Sequence, residues 1–277
     1  MRAVRYLNFG LSYGECFALL GVNGAGKSST FKTLTGEVTY QNGDVRIHKY
    51  SVKKQFAKVR KYIGYCPQTD TLIPDVNVQE HLEFHAVLKN IPKGMRKNLI
   101  EKLIAEMDLT EYRLVRSKAL SGGNKRKLCV AIAMLGNPPI ILLDEPSTGI
   151  DPKAKRFMWD IISRISKKRK QSAVVLTTHS MEEAEALATK IGIMVKGQFK
   201  CLGTSQHLKN KFSSGFELDF KIREPNEEKI NAVMERNGLT PQTHITKQTV
   251  GETLIKFGAQ VQVNKEGQGS EIYKAVS

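Results

Sequence analysis

The chain has 277 residues, with 43 Lys and Arg against 27 Asp and Glu, which gives a formal net charge of +16. Its hydrophobic fraction of 40% and charged fraction of 25% are ordinary for a folded protein and exclude a disordered one. The longest apolar run has eight residues, far fewer than the roughly 18 that a membrane-spanning helix needs.

The first predicted elements are a strand, a glycine-rich loop and a helix between residues 15 and 40. The apolar run 17–20 lies between glycines, as is typical of a buried parallel strand. Residues 27 to about 35 have a helical pattern that ends at Gly36. The glycine-rich loop 21–26 therefore joins the end of a strand to the start of a helix.

This loop matches the pattern G-x-x-x-x-G-K-[ST] in the strand–loop–helix context that the pattern requires. Glycines let backbone N–H groups surround a β-phosphate, and the helix N-terminus adds a favourable dipole. Lys27 is predicted to hold β- and γ-phosphate oxygens, and the Ser28 hydroxyl to ligate Mg²⁺. The predicted nucleotide-binding residues of this segment are Gly21, Val22, Asn23, Gly24, Ala25, Gly26, Lys27, Ser28 and Ser29.

The elements that follow alternate between β and α patterns. Residues 41–66 look β-rich, with a turn at Asn42-Gly43. Later elements, in order, are two helices between 77 and 109 separated near Pro92, a helix from near Ser121 to before Pro138, a strand at 140–143, a helix at 152–168, a strand at 173–178, a helix with a Ser180/Glu183 capping box, and a hairpin of 191–195 with 199–202.

Two acids follow the strand at 140–143, at the strand end where open α/β sheets bind ligands. Asp144 is predicted to hold Mg²⁺ through its coordination shell, and Glu145 to polarise an attacking water. A strand that ends in two acids is by itself common at the start of a solvated loop. Asp144 lies 117 residues after Lys27, which leaves enough chain for the intervening strands and helices.

The pattern predicts an α/β fold, namely a P-loop NTPase core with a β-subdomain and an inserted α-helical subdomain at about 76–136. After residue 212 the pattern changes to a strand at 216–222, a helix at 226–236 and a strand near 253–257. We therefore predict a nucleotide-binding domain at 1–212 and a small β-α-β appendage with a loose tail at 213–277.

Further motifs resemble those of ATP-binding cassette (ABC) ATPases. Residues 120–124 resemble the LSGGQ-type signature, Gln68 the Q-loop, 147–151 the D-loop and His179 the switch histidine, all in the family's order. The sequence looks specifically similar to subfamily A of eukaryotic ABC transporters over about residues 3–222. The strings that carry this resemblance are GECFALLGVNGAGKSST, IGYCPQTD, LSGGNKRKL, DEPSTGIDP and GQFKCLGTSQHLKNKF.

The resemblance implies roles for these residues in ATP and Mg²⁺ binding. In the family two cassettes close head to tail, and the signature residues of one (here Ser121, Gly122 and Gly123) cap the ATP held by the other. Gln68 would sense Mg²⁺ and contact nucleotide, and Asp151 would pair across the dimer. His179 would contact the γ-phosphate and orient Glu145, so that Glu145 and His179 are the expected catalytic residues.

Two departures from the family pattern bear on function. The aromatic residue on which the family stacks adenine would lie before Met1, and we expect neither Tyr6 nor Tyr13 to replace it. Stacking contributes roughly 1–3 kcal/mol, so its loss would weaken ATP binding about ten- to hundredfold. Residues 213–257 resemble only the start of the family's regulatory domain. The chain is thus expected to be a fragment or truncated gene product, or a half-system that needs partners.

The leading hypothesis is an ATP-hydrolysing cassette that powers transmembrane transport, with lipid as cargo by family analogy. Its partners would be a second cassette and transmembrane domains at the cytoplasmic face of a membrane, although the isolated chain would be soluble. Two alternatives stay open, a soluble ABC ATPase acting on ribosomes or nucleic acid and a truncated nucleotide-binding remnant without turnover. Intact Lys27, Asp144, Glu145 and His179 argue against the remnant, while the missing adenine loop keeps it open.

Charge and cysteines add little to this choice. The basic runs 125–127 and 167–170 would suit phosphate backbones or anionic lipid head groups, but such runs are more often solvated faces. They lack an aromatic stacking platform, so we expect no specific nucleic-acid partner. The scattered Cys16, Cys66, Cys129 and Cys201 are typical of reduced thiols.

Overall fold

The computed structural model describes residues 3–169 and 172–212, together with three strands at 216–223, 243–249 and 252–259. The chain divides into two compact units, Met1–Leu208 and Lys209–Ser277. The helices and strands are β1 (Cys16–Leu20), α1 (Lys27–Leu34), β2 (Arg46–Ile47), β3 (Tyr50–Ser51), α2 (Val52–Val59), β4 (Ile63–Cys66), α3 (Val78–Leu88), α4 (Lys93–Glu106), α5 (Gly122–Met134), β5 (Ile140–Asp144), α6 (Pro152–Arg169), β6 (Ala173–Thr178), α7 (Met181–Leu187), β7 (Lys190–Val195), β8 (Gln198–Gly203), α8 (Ser205–Phe212), β9 (Phe216–Arg223), β10 (Thr243–Thr249) and β11 (Glu252–Ala259).

The first unit is built on a six-stranded sheet in the order β4-β5-β6-β1-β7-β8. All neighbouring pairs are parallel except the β7–β8 hairpin at one edge. Strands β1, β5 and β6 are apolar and almost fully buried, because helices cover both faces of a parallel sheet. The predicted P-loop NTPase α/β fold is therefore confirmed.

Helix α5 packs closely against the edge strand β4. A Cβ atom at Gly64 of β4 would lie 2.0 Å from the carbonyl oxygen of Ala133 in α5, so only glycine permits this approach. Helices α3, α4 and α5 contribute a shared buried core that includes Leu82, Leu103 and Leu128. The sequence-predicted helices between 77 and 138 are thus present.

Two local predictions were wrong. Residues 52–59, expected within a β-rich segment, form α2, whose Val52 and Val59 are buried seven positions apart on one side. The capping box expected at Ser180 is only half formed. Ser180 Oγ accepts the N–H of Glu183, but the Glu183 carboxylate turns inward to other partners. A complete capping box instead begins α3, between Asn77 and Glu80.

The second unit contains a three-stranded antiparallel sheet in the order β10-β11-β9. Strands β9 and β11 were expected from the sequence and β10 was not, while the helix predicted at 226–236 lies outside the described residues. The assignment of residues 1–212 to a nucleotide-binding domain and of 213–277 to an appendage with a loose tail stays a prediction. None of the helices that the structure describes combines the length and the apolar character that a bilayer crossing requires.

Candidate nucleotide-binding site

Four motif loops meet at one edge of the six-stranded sheet. The strand register aligns Leu20 of β1 with Thr178 of β6, and Asp144 of β5 with Thr177 of β6. Parallel strands end together, so the phosphate loop after β1 lies beside the segments that carry Gln68, Glu145 and His179. These three side chains were predicted from motifs far apart in the chain.

The phosphate loop is held by close backbone contacts. A Cβ at Gly21 would lie 2.6 Å from the carbonyl oxygen of Met194, and one at Gly26 would lie 2.7 Å from that of Ala3. Gly26 also has a left-handed φ of 107° and precedes α1 without a side-chain cap, which leaves the N–H groups of the first turn facing the loop. Val22, Asn23 and Gly24 are exposed. This arrangement suits a phosphate at the helix N-terminus.

Lys27 bridges the phosphate loop and the carboxylate of Glu145. Its Nζ donates to the carbonyl oxygens of Gly21 at 2.8 Å and Val22 at 3.3 Å, and lies 3.5 Å from Glu145 Oε1. Lys27 and Glu145 are both buried, so little water screens this pair. The ammonium group therefore lies at the phosphate loop, where phosphate oxygens would bind. Ser28 and Ser29 follow in α1 and are half-buried.

Predicted binding and catalytic residues meet at the carboxylate of Glu145. Its Oε2 accepts hydrogen bonds from Gln68 Nε2 and from Thr148 Oγ1, both at 3.2 Å. His179 Nδ1 lies 3.7 Å from the same oxygen, on a half-exposed side chain. The structure thus brings Lys27, Gln68, Glu145 and His179 together at one point.

Asp144 is placed differently from its neighbour. It is buried, and its Oδ1 accepts a 2.5 Å hydrogen bond from Thr177 Oγ1, which in turn accepts the N–H of Glu145 at 2.9 Å. Asp144, Gln68 and Ser28 supply carboxylate, amide and hydroxyl oxygens, the hard donors that suit Mg²⁺. Within the described residues no group of three or more His, Cys, Asp or Glu side chains is placed to hold a metal ion.

The signature residues form a second group, at the start of α5. Ser121 Oγ accepts the N–H of Asn124 and caps the helix, with Gly122 next to it and both exposed. A Cβ at Gly123 would lie 3.8 Å from Asp151 Oδ2, and Asp151 Oδ1 accepts the N–H groups of Lys153 and Ala154 at the start of α6. No hydrogen bond or ion pair in the described part of the chain joins Ser121 to the phosphate loop.

Arg126 is a site residue that the sequence pattern did not reveal. It lies in one of the basic runs, yet it is buried and donates to the carbonyl oxygens of five residues. These are Pro67, Gln68, Asp144, Glu145 and Pro146. Arg126 therefore ties α5 to the loops that carry Gln68 and Glu145. Its neighbour Lys127 is also buried and lies 4.3 Å from the centroid of the Phe157 ring, so this run is not a solvated face.

Glu183 is a second residue whose position the sequence pattern did not reveal. The buried carboxylate accepts the Ser147 hydroxyl at 2.5 Å and the Trp159 indole N–H at 3.0 Å, both at Oε1. It thereby joins the loop after Glu145 to α6 and α7. The only sequence signal was the helix-start pattern at Ser180, which indicated a different role for Glu183.

Two cysteines close to the site have perturbed pKa values. Burial raises the pKa of Cys66, the last residue of β4, to about 11. Burial also raises the pKa of Cys129 in α5, whose Sγ lies 3.5 Å from Asp70 Oδ1. Both thiols are therefore protonated near neutral pH, and all four cysteines of the chain are free.

The fold and the site together define a P-loop nucleotide-binding domain. The sequence matches the ABC transporter family over residues 4–148. It is 46% identical over 228 residues to rat phospholipid-transporting ATPase ABCA3, and 47% identical over 226 residues to human retinal-specific phospholipid-transporting ATPase ABCA4. The chain belongs to the ABC transporter family, and these relatives are members of its subfamily A.

The matched regions cover 82% of this chain in both cases, but only 13% of the ABCA3 protein and 10% of the ABCA4 protein. The chain thus spans about a tenth of the length of these curated relatives. Among solved structures, an ATP-binding subunit of an ABC transporter is similar with a TM-score of 0.69 and 25% identity, over 84% of this chain and 93% of that one. The ATP-binding cassette MJ0796, a dimer bound to ADP and Pi, shares the fold with a TM-score of 0.66 and 22% identity, over 73% of this chain and 90% of its own.

Proposed function

We propose that this chain binds and hydrolyses ATP as the nucleotide-binding domain of a transporter, and that hydrolysis powers the movement of lipid across a membrane. The observation that carries the proposal is the convergence of Lys27, Gln68 and His179 on the carboxylate of Glu145. Lipid is proposed as the cargo because the relatives are named phospholipid-transporting ATPases.

Each group has a distinct task in this proposal. Lys27 binds β- and γ-phosphate oxygens from its position at the phosphate loop, aided by the N–H groups of the first turn of α1. Glu145 orients and polarises the attacking water, and His179 contacts the γ-phosphate and steadies Glu145. Ser28, Gln68 and Asp144 hold Mg²⁺, which when bound neutralises charge on the phosphate oxygens.

A second cassette is proposed to complete the site. Ser121 and Gly122 are exposed at the N-terminus of α5, where free N–H groups and the helix dipole favour an anion. The next residue, Gly123, lies beside Asp151, since a Cβ at Gly123 would be 3.8 Å from Asp151 Oδ2. The proposal therefore assigns Ser121, Gly122 and Gly123 to the ATP held by the partner cassette, in a head-to-tail pair. Asp151 would pair across the same interface.

Transmembrane domains are the other proposed partner, at the cytoplasmic face of the membrane. Phe84, Val87 and Leu88 of α3 are 49%, 50% and 60% exposed, and their spacing places them on one helix face. An exposed apolar patch of this kind is typical of a protein–protein contact. The patch lies on α3, the first helix that follows Gln68 in the chain.

ATP turnover and ATP affinity of two variants test the proposed site. Glu145→Gln should lower kcat by about 10²–10⁴-fold while ATP binding, measured by calorimetry, is retained. Lys27→Ala should lower ATP affinity by about tenfold or more, since it removes a charge-assisted contact. Matched controls are Glu182→Gln and Lys32→Ala, which change exposed residues of α7 and α1. Unchanged turnover in Glu145→Gln would refute the assigned role, and wild-type affinity in Lys27→Ala would refute the site.

A further inference from the structure

The segment 46–61 carries seven basic residues, and the sequence from 45 to 69 contains no Asp or Glu. All seven side chains are exposed. We name them the 46–61 basic face; they are Arg46, Lys49, Lys53, Lys54, Lys58, Arg60 and Lys61. These residues lie in β2, in the turn between β2 and β3, in α2 and in the turn that follows α2, and none of them is among the nucleotide-site residues.

A small apolar cluster keeps these charges on the outside. Ile47, Val52 and Val59 are buried together, with Tyr50 and Tyr62 packed against them. Because α2 has eight residues, it is only about 12 Å long. Its Lys53, Lys54 and Lys58 are therefore confined to a short surface beside the β2–β3 hairpin.

Two ammonium groups of the face lie near the same aromatic ring. Lys49 Nζ and Lys58 Nζ lie 5.8 and 5.3 Å from the centroid of the same Tyr50 ring. Two positive charges are therefore gathered around one ring, which raises the positive potential of this surface. Among the described residues, the ion pair of this face joins Arg46 to Asp44. The other basic side chains of the face would attract a bound anion.

We propose that the 46–61 basic face binds the head groups of anionic phospholipids at a membrane surface. Five of its seven basic residues are lysines, whose flexible point charges suit a fluid layer of phosphates rather than one fixed group. The proposal uses the membrane setting of the proposed transport function, but not ATP hydrolysis.

The aromatic rings of the face favour lipid over single-stranded nucleic acid. Tyr50 and Tyr62 pack against each other with centroids 5.8 Å apart, and His48 lies 5.4 Å from the Tyr62 ring. Lysines cover Tyr50, and Lys53 Nζ lies 5.6 Å from the Tyr40 ring. Rings that are covered in this way do not offer open faces for stacking bases.

Co-sedimentation of the 277-residue chain with vesicles tests the proposal. The chain should bind vesicles of phosphatidylcholine mixed with phosphatidylserine, and should not bind vesicles of phosphatidylcholine alone. The triple variant Lys53→Gln, Lys54→Gln, Lys58→Gln should bind about a hundredfold more weakly, because each basic residue at an anionic surface contributes about a fivefold factor. The matched control, Lys93→Gln, Lys97→Gln, Lys102→Gln, removes three exposed lysines of α4 and should stay within about threefold of wild type. Circular dichroism checks that both variants are folded.

Several outcomes would overturn the proposal. Equal losses in the two triple variants would assign binding to the overall charge rather than to this face. Equal binding to the two kinds of vesicle would remove the role of the anionic head group. Tighter binding of a random-sequence single-stranded RNA at the same salt, lost in the first variant, would make the face a nucleic-acid site. A chain that binds vesicles through this face but does not hydrolyse ATP would refute the proposed function and support this inference.

Discussion

Replacing Glu183 with leucine removes a buried acceptor shared by two donors. The Ser147 hydroxyl and the Trp159 indole N–H both bond to Oε1 of this carboxylate. Leucine is similar in volume but accepts no hydrogen bond. The change therefore leaves Ser147, itself buried, and the half-buried Trp159 N–H without this partner.

The expected loss follows from these two contacts. A buried donor left unsatisfied costs about 1–3 kcal/mol. With Ser147 buried and Trp159 partly accessible to water, we expect the free energy of unfolding to fall by about 3 kcal/mol. For a domain of this size such a loss lowers Tm by roughly 6–12 °C.

Glu183→Gln is the matched control, because an amide oxygen at the Oε1 position still accepts both hydrogen bonds. We expect it to lose about 1 kcal/mol or less, the difference between a charged and a neutral acceptor. Urea unfolding followed by circular dichroism and by Trp159 fluorescence measures both variants. The chain has one tryptophan, so the fluorescence reports this site. A Leu variant as stable as wild type, or a Gln variant as unstable as the Leu variant, would contradict the reasoning.

Three further predictions concern the surroundings of the site. Arg126→Lys should lower the free energy of unfolding by about 2–4 kcal/mol, because one ammonium group cannot replace the guanidinium that donates to five carbonyl oxygens. Urea unfolding measures the loss, and a change below about 1 kcal/mol would contradict the prediction. Lys89 Nζ donates to the carbonyl oxygens of Ile132, Ala133 and Leu135 at the end of α5, so Lys89→Met should cost about 1 kcal/mol in the same assay, unlike the exposed control Lys93→Met. Burial raises the pKa of Cys66 to about 11 and also raises that of Cys129, so iodoacetamide at pH 8 should label neither thiol until urea unfolds the chain. Peptide mass spectrometry identifies the labelled positions. Rapid labelling of these two thiols in the folded protein would refute the burial argument.

The sheet and its motif loops could be predicted because each is a local pattern. Short apolar runs such as 17–20 and 140–143 end in glycine or acid residues that mark the strand ends. Parallel strands then bring those ends to one edge without any knowledge of distant contacts. The grouping of Lys27 with Glu145 follows from that geometry, and the distance of 3.5 Å between them agrees with it.

The rest depended on contacts that are distant in sequence. Arg126 reads as part of a solvated basic run, and only its carbonyl partners from 18 to 59 residues away show that it is buried. Glu183 fits a helix-start pattern, yet its carboxylate meets Ser147 and Trp159, 36 and 24 residues away. Helix α2 has two buried valines over eight residues, too few turns for a helical period to stand out from a strand.

Glu145 shows why the four motif loops do not act independently. Its backbone is left-handed, with a φ of 48°, a strained conformation that persists only where its surroundings hold it in place. Thr177 Oγ1 accepts its N–H, Arg126 donates to its carbonyl oxygen, and Gln68 donates to its carboxylate. These restraints come from β6, from α5 and from the segment after β4. Because α5 also begins with the signature residues, a shift of that helix at an interface would reach the Glu145 carbonyl through Arg126, without passing through the phosphate loop.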